Sequence, residues 1–182
     1  MEIATLTRET GATVVYITHD QSEAFALADR IGVLRGGRLV QHGSPESIYH
    51  EPYSPFVARF TGLAGELRAC VEEVHPDGVV VSARGWRLRV RAPVPVRSGI
   101  SVDVLLRSGA LALKSVDDSA QLSGVVRDTA YRGRGYDRVV ELPGGALLCG
   151  IFDTRPWRRD EEVALAVAGE GCFAYPVDGS GG

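Results

Sequence analysis

Lysine is nearly absent from this chain of 182 residues: Lys114 is the sole lysine among 20 basic residues. Loops that hold nucleotide phosphates use backbone amides and a lysine in the pattern G-x-x-x-x-G-K-[ST]. Lys114 follows Leu111-Ala112-Leu113 and has no such loop before it. We therefore expect no cofactor to bind to this chain alone.

Cysteine is scarce as well. Cys70, Cys149 and Cys172 are odd in number, lie far apart and form no Cys-x-x-Cys pair. This spacing argues against a disulfide framework or a zinc site and predicts small buried hydrophobic residues in a reducing compartment. Three histidines also show no metal-ligand spacing: His42, His50 and His75. We expect no metal site.

Neither a strong charge nor a long apolar run is present. The formal net charge is -3, whereas nucleic-acid binders normally carry a strongly basic face. We interpret residues 132–136 (RGRGY) as a turn, and Trp86 and Trp157 as packing residues rather than base-stacking platforms. No apolar run approaches the roughly 18 residues needed to cross a bilayer, and the N-terminus has no signal pattern. We expect a cytoplasmic chain.

The first region, up to residue 62, mixes helical and strand patterns. Residues 13–18 (TVVYIT) are almost continuously β-branched or aromatic, which predicts a short strand buried on both faces. Asp20 is placed to cap the next helix, and Glu23 completes the spacing of a capping box. Residues 1–10 have the apolar spacing of the end of an amphipathic helix.

A hairpin and two short helices complete this region. Arg35-Gly36-Gly37-Arg38 separates two apolar runs, and its glycines supply the positive φ angles of a tight turn. Ser44-Pro45 and Ser54-Pro55 each place a capping hydroxyl before a proline at the first helical position. We expect a short helix after each serine.

From residue 63 onward the apolar period changes to two. Runs such as GVVVSA, SVDVLLR and EVALAV alternate apolar with other residues and are separated by turns that contain glycine. Many short strands at this spacing predict an antiparallel sandwich or a small barrel. The pattern starts again after Asp117-Asp118, and Gly65 and Gly124 each open a strand, which indicates a weak internal repeat.

His19 has the position of a candidate functional residue. It follows the predicted strand at once and precedes the capped helix, which places it at the carboxyl edge of a sheet. In open α/β sheets ligands bind at that edge. A histidine at a strand end is nevertheless more often a satisfied surface or core residue, so the surrounding sequence has to decide.

That surrounding sequence resembles a known family without a gap over about fifty residues. Residues 13–62 include THDQ-x-EA, ADRI, the G-G-R hairpin, V-x-x-G-x-P-E-x-I-Y and the exit P-x-x-x-F-V-A-x-F-x-G. The run is similar to the C-terminal end of the nucleotide-binding domain in ATP-binding-cassette (ABC) transporter ATPases. The exit motif is typical of importer subunits that carry an extra C-terminal regulatory region.

The resemblance implies an α+β chain with two domains. Residues 1–62 would be a C-terminal remnant of a P-loop α/β nucleotide-binding domain. Residues 63–178 would form a mostly antiparallel, oligonucleotide-binding-like (OB-like) β-barrel, the transport-associated or TOBE domain, and residues 179–182 a flexible tail. Where relatives have Arg-Pro-Glu near the end of the first barrel repeat, this chain has Arg107-Ser108-Gly109.

On this resemblance His19 is the catalytic switch histidine. Its imidazole would hydrogen-bond the γ-phosphate of ATP and hold the attacking water, in a complete subunit that binds ATP and Mg²⁺. The implied partners are a second copy of the ATPase subunit, transmembrane permease subunits and, indirectly, a substrate-binding protein, but no nucleic acid. The permease would hold the complete subunit at the inner face of the cell membrane.

Three motifs of the family are missing from this sequence: the phosphate loop, the signature Leu-Ser-Gly-Gly-Gln and the Asp-Glu pair that holds magnesium. All three precede the switch histidine in the family. We therefore expect the back portion of a longer subunit, inactive alone, as an excised fragment, a truncated gene product or a misassigned start codon. The alternative is a stand-alone TOBE-like module that senses a small oxyanion or metabolite. Ferric iron and polyamines lead as transported substrates, followed by sugars and sulfate.

Overall fold

The computed structural model describes residues 11–116 and 121–177, which form three short α-helices and twelve strands. The chain divides into two compact units between Pro52 and Tyr53. We call residues 11–52 the first unit and residues 53–177 the β unit. The helix predicted over residues 1–10 and the tail 179–182 lie outside the described residues. The domain boundary at residue 62 stays a prediction.

The first unit contains two short helices and one hairpin. Its elements, in chain order, are α1 (Gln21–Leu27), β1 (Ile31–Arg35), β2 (Arg38–Gly43) and α2 (Pro45–His50). Strands β1 and β2 are antiparallel, and Gly36 and Gly37 join them with φ angles of 55° and 75°. Positive φ at both central residues is what a tight hairpin turn requires. The predicted hairpin is confirmed.

Serine caps begin two of the three helices, as predicted. The hydroxyl of Ser44 accepts a hydrogen bond from the backbone N–H of Ser47 at 3.2 Å and begins α2. The hydroxyl of Ser54 accepts one from Val57 at 3.4 Å and begins α3 (Pro55–Phe60), the first element of the β unit. Each cap satisfies an N–H that has no partner within its own helix.

The strand predicted over residues 13–18 is absent, and its predicted burial is wrong. Residues 12–18 take part in no strand or helix, and Val15 and Ile17 are each 86% exposed. A strand exists only where a neighbouring strand accepts and donates its backbone hydrogen bonds. Among the described residues of the first unit, only the β1–β2 hairpin forms a sheet, so this segment has no ladder to join.

The β unit carries the mostly antiparallel architecture that the alternating pattern predicts. After α3 it contains β3 (Gly65–His75), β4 (Gly78–Ala83), β5 (Trp86–Val90), β6 (Ser101–Leu106), β7 (Leu111–Lys114), β8 (Leu122–Tyr131), β9 (Tyr136–Glu141), β10 (Leu147–Asp153), β11 (Glu162–Val167) and β12 (Cys172–Pro176). These strands form two five-stranded sheets, in the orders β12-β6-β3-β4-β5 and β10-β9-β8-β11-β7. No helix in the described part of the chain is both long and apolar enough to span a membrane.

The two sheets are built from two sequence repeats that exchange their last strands. Strand β7 ends the first repeat but pairs with β11 of the second, and β12 ends the second repeat but pairs with β6 of the first. Each sheet begins with its exchanged strand and continues with the strands of the other repeat in an equivalent order, which is β12-β6-β3-β4-β5 in the first sheet and β7-β11-β8-β9-β10 in the second. Neither sheet is therefore complete without a strand from the other repeat.

Strand register supports the predicted internal repeat. Leu67 pairs with Val104 in the first sheet, as Leu122 pairs with Leu165 in the second. A bulge follows the equivalent residues Val71 and Val126 in the two sheets. Strand β3 begins at Gly65, but β8 begins at Leu122, two residues before Gly124. The prediction that Gly124 opens its strand is wrong.

Both faces of the first sheet are covered. Residues such as Val71 and Val104 point into the main core, against which Trp86 and Trp157 pack as predicted. On the opposite side, Leu105 lies in a second cluster of buried residues: Ala58, Leu105, Phe173 and Tyr175. Ala58 belongs to α3, so this helix covers the outer face of the sheet.

The edges of the first sheet meet. Arg91, just after β5, donates its backbone N–H to Cys172 at 3.0 Å, and its carbonyl accepts from Ala174 at 2.8 Å. Strand β12 is the opposite edge of the same sheet, so these bonds close the sheet into a small barrel. The turn that leads into β12 packs closely, because a Cβ on Gly171 would lie 2.5 Å from the Cβ of Ala110.

An ion pair joins α3 to β3. The guanidinium of Arg59 donates to both carboxylate oxygens of Glu66, at 2.6 and 2.8 Å. This hydrogen bonding holds the pKa of Glu66 below its ordinary value. The pair is partly exposed, so its contribution to stability is modest.

Leu113→Ala in β7 is expected to weaken the second sheet first, although Leu113 belongs to the last strand of the first repeat. Leu113 is 7% exposed and pairs with Leu165 of β11. Truncating a buried leucine costs about 2–5 kcal/mol. Amide hydrogen exchange should accelerate first in β11 and β8. The matched control is Lys114→Ala on the exposed side of β7, which should change the free energy of unfolding by less than about 0.5 kcal/mol. Acceleration that begins in β3 and β4 would contradict the exchange of strands.

Glu66→Gln is expected to make stability less sensitive to acid. A carboxylate whose folded-state pKa is lowered adds stability above its unfolded pKa of about 4.3, and this stability is lost as the pH falls through the folded-state pKa. Because the pair is partly exposed, we expect a change of about 0.5 kcal/mol. The free energy of unfolding by urea, measured for both chains at neutral pH and at about pH 3, tests this change. If the variant and the native chain lose the same stability between these pH values, the ion pair contributes nothing.

Candidate functional site

Local hydrogen bonds shape the turn that carries His19. The backbone N–H of Asp20 donates to the hydroxyl of Thr18 at 2.9 Å. The Asp20 carboxylate in turn accepts from the N–H groups of Ser22 at 2.8 Å and Glu23 at 3.2 Å, which begins α1. The predicted cap by Asp20 is confirmed. His19 lies between two residues whose conformations are fixed by these bonds.

Glu23 has a different role from the one its spacing indicated. Instead of closing a capping box on the N–H of Asp20, its carboxylate accepts hydrogen bonds from the hydroxyls of Tyr16 at 2.9 Å and Thr18 at 3.0 Å. The hydrogen bond from Tyr16 to Glu23 and the negative charge of the Glu23 carboxylate raise the pKa of the Tyr16 phenol. Glu23 therefore ties the segment before His19 to the helix after it. The sequence did not indicate this role, because the position of Glu23 three residues after Asp20 also fits a capping box.

The imidazole of His19 is exposed and makes no hydrogen bond to any residue that the structure describes. A neutral imidazole offers one N–H donor and one acceptor nitrogen, and both remain available to a group outside the described residues. The site can thus present a donor to a phosphoryl oxygen or orient a water molecule. The role of His19 as the switch histidine stays a prediction.

The cysteines differ from their predicted state. All three are free thiols, but only Cys172 is buried, while Cys70 and Cys149 are exposed. Burial raises the pKa of the Cys172 thiol to about 12. The prediction of three buried residues is wrong for two of them, since strands β3 and β10 turn these side chains away from the core.

Two buried arginines were not predicted from the sequence. Arg107 and Arg138 are each 1% exposed. The Arg138 guanidinium donates to the hydroxyl of Thr129 at 2.8 Å and to the backbone carbonyl of Arg155, and it lies 4.7 Å from the ring centroid of Tyr136. It thereby joins β8 and β9 to the loop after β10. Residues 132–135 connect β8 to β9 in a turn as predicted, but Tyr136, the last residue of the predicted turn, begins β9.

The β unit matches a known domain family. Residues 104–174 match the TOBE domain. The structure is also similar to a molybdate-bound crystal structure of the cytoplasmic molybdate-binding protein ModG. That similarity has a TM-score of 0.50 and 13% identity, over 62% of this chain and 95% of that one. At this identity the similarity concerns the fold alone, and it agrees with the predicted OB-like β architecture.

Longer relatives match across both units. They are the proteins named spermidine/putrescine import ATP-binding protein PotA, from several bacteria. The relative from Lawsonia intracellularis is 35% identical over 185 residues, covering 98% of this chain and 49% of the relative. The relative from Methylococcus capsulatus is 39% identical (91% and 42% covered), and that from Escherichia coli K12 is 36% identical (81% and 40%). The chain spans less than half the length of these relatives.

The TOBE match places this chain among proteins that carry an OB-like β domain. Together with the matches across both units, it shows the family. The chain belongs to the ATP-binding subunits of ABC-type importers and corresponds to their C-terminal part. The resemblance found in residues 13–62 is confirmed.

The exposed segment before His19 is expected to associate with a second chain. Val14, Val15, Tyr16 and Ile17 are each at least 50% exposed, and residues 13–18 carry no charge and no proline. Such a segment has nothing that blocks edge-to-edge pairing. Val15→Lys should lower the weight-average mass measured by analytical ultracentrifugation at high concentration. The control Val74→Lys changes a 51% exposed valine of β3 and should leave association unchanged. A native chain that is strictly monomeric, with residues 13–18 fully protected from exchange, would contradict this prediction.

Proposed function

We propose that this chain supplies the γ-phosphate switch and the regulatory β domain of a complete importer ATPase subunit. The observation that carries the proposal is the match to the Lawsonia intracellularis relative along 98% of this chain. An exposed histidine on a hydrogen-bonded turn is consistent with it. In the complete subunit, residues that precede this stretch would bind ATP and Mg²⁺.

The local hydrogen bonds around His19 agree with the chemistry proposed for it. The Thr18 hydroxyl accepts a hydrogen bond from the backbone N–H of Asp20 and donates one to the Glu23 carboxylate, so the turn that carries the imidazole loses little conformational freedom when a ligand binds. A ring N–H donates to the γ-phosphoryl oxygen, where negative charge develops during phosphoryl transfer. The same contact is lost when the terminal phosphate leaves, so His19 senses whether ATP is still intact.

The complete subunit works as a pair and at a membrane. Its partners in this proposal are a second copy of the ATPase subunit and the transmembrane permease, which holds it at the inner membrane face, with a substrate-binding protein acting indirectly. The transported substrate is a polyamine, as in the names of the three relatives. Uptake of labelled spermidine by cells that depend on the complete subunit tests this substrate class, and uptake that persists without the subunit overturns it.

His19→Ala is expected to remove most ATP turnover from a complete subunit. A suitable subunit joins this chain behind the corresponding first part of the Lawsonia intracellularis relative. Loss of one donor to a developing phosphoryl charge should lower kcat by about 10²–10³. A Mg²⁺-dependent phosphate-release assay measures the rate.

The matched control is His42→Ala, because His42 is an exposed histidine of β2 in the same unit. Its turnover should equal that of the unmodified subunit, and this chain alone should release no phosphate. Equal turnover for His19→Ala and His42→Ala would overturn the assignment of the switch.

A further inference from the structure

The segment that connects the predicted domains, residues 53–62, lies in the same compact unit as the barrel. We call it the exit segment, since it contains α3 and most of the exit motif. Val57 and Ala58 of α3 are completely buried. Ala58 packs with Leu105 and Phe173 in the cluster on the outer face of the first sheet.

Arg107 makes a buried polar connection between the exit segment and the barrel. Its guanidinium donates to the carbonyls of Thr61 at 3.1 Å and Gly62 at 2.8 Å, and to the hydroxyl of Thr61 at 2.7 Å. The carbonyls at the C-terminal end of a helix lack partners within the helix. Arg107 therefore supplies donors at the point where α3 ends.

The hydrogen bonds continue into the helix. The Thr61 hydroxyl, which accepts from Arg107, donates to the carbonyls of Val57 at 3.0 Å and Ala58 at 3.2 Å. Thr61 is 8% exposed and Arg107 is 1% exposed, so water competes little for these groups. A planar guanidinium can reach several acceptors at once, which a lysine ammonium at the end of a flexible stem does less well.

The other side of Arg107 faces the exchanged strand. Its guanidinium carbon lies 5.4 Å from the ring centroid of Phe173 in β12, and its backbone N–H donates to Gly171 at 3.0 Å. Arg107 itself directly follows β6. One buried side chain thus connects three parts of the chain: the end of α3, the end of β6 and the start of β12.

We infer that the exit segment is a rigid extension of the TOBE barrel, and that Arg107 is the positioning residue that holds it there. The inference deepens the proposed function. On that function, α3 belongs to the regulatory barrel rather than to the ATPase part.

Hydrogen–deuterium exchange of the full chain, read by mass spectrometry, tests this inference. Arg107→Met keeps an apolar stem against Phe173 but removes every side-chain donor. Amides of residues 53–62 should then exchange roughly tenfold faster, as expected when hydrogen bonds to a charged group are lost. Amides of β8 and β9 and of the first unit should keep their native rates. Unchanged exchange in residues 53–62 overturns the inference, and so does an equal acceleration throughout the β unit.

A second pair of variants keeps the test decisive if Arg107→Met fails to fold. Thr61→Val removes the hydroxyl that accepts from Arg107, while Thr61→Ser retains it. Exchange in the exit segment should rise for valine and stay native for serine. Equal exchange in the two variants overturns the inference. No nucleotide enters these measurements, so the inference and the proposed ATPase role of the complete subunit can fail separately.

Discussion

The exchange of last strands between the two repeats is the constraint on which the β unit depends. Because β12 pairs with β6, the C-terminal residues complete the first sheet and close it through Arg91. The same pairing brings Phe173 and Tyr175 to the outer face, where Ala58 of α3 covers them. The folding of the exit segment therefore depends on a strand more than one hundred residues later. The two repeats and α3 are therefore interlinked, since neither sheet is complete without a strand from the other repeat.

The first unit has the opposite character. Its helix caps and hairpin are local and complete, yet the apolar side chains of residues 14–17 remain exposed. A globular protein seldom leaves such an uncharged, β-prone segment open, because it invites pairing with another strand. The β unit buries its apolar side chains within itself, whereas the apolar side chains of residues 14–17 in the first unit are left for another segment or chain to cover. This difference agrees with relatives of which the chain spans less than half the length.

How well the sequence predicted each element depends on how far apart the interacting residues lie. Ser44 caps a helix three residues away, and Gly36-Gly37 forms its turn unaided, so both were predicted correctly. The paired alternating strands were also predictable, since their pattern reports which face is buried. Arg107 was not, because its acceptors lie 45 and 46 residues earlier in the chain. The prediction of a strand over residues 13–18 was wrong for a related reason. Its apolar pattern is typical of a buried strand, but the described residues provide no neighbouring strand that would bury it.

The residues of the candidate site also differ in how well the sequence could predict their roles. His19 could be singled out because a strand pattern, a cap and a long family resemblance all meet at one position. The role of Glu23 could not be predicted, since its sequence position fits a capping box, whereas in the structure it accepts hydrogen bonds from Tyr16 and Thr18. The turn is thus formed by residues within one short stretch. In the proposed switch role, the geometry around His19 is set locally, while its phosphate ligand would be supplied by the rest of the subunit.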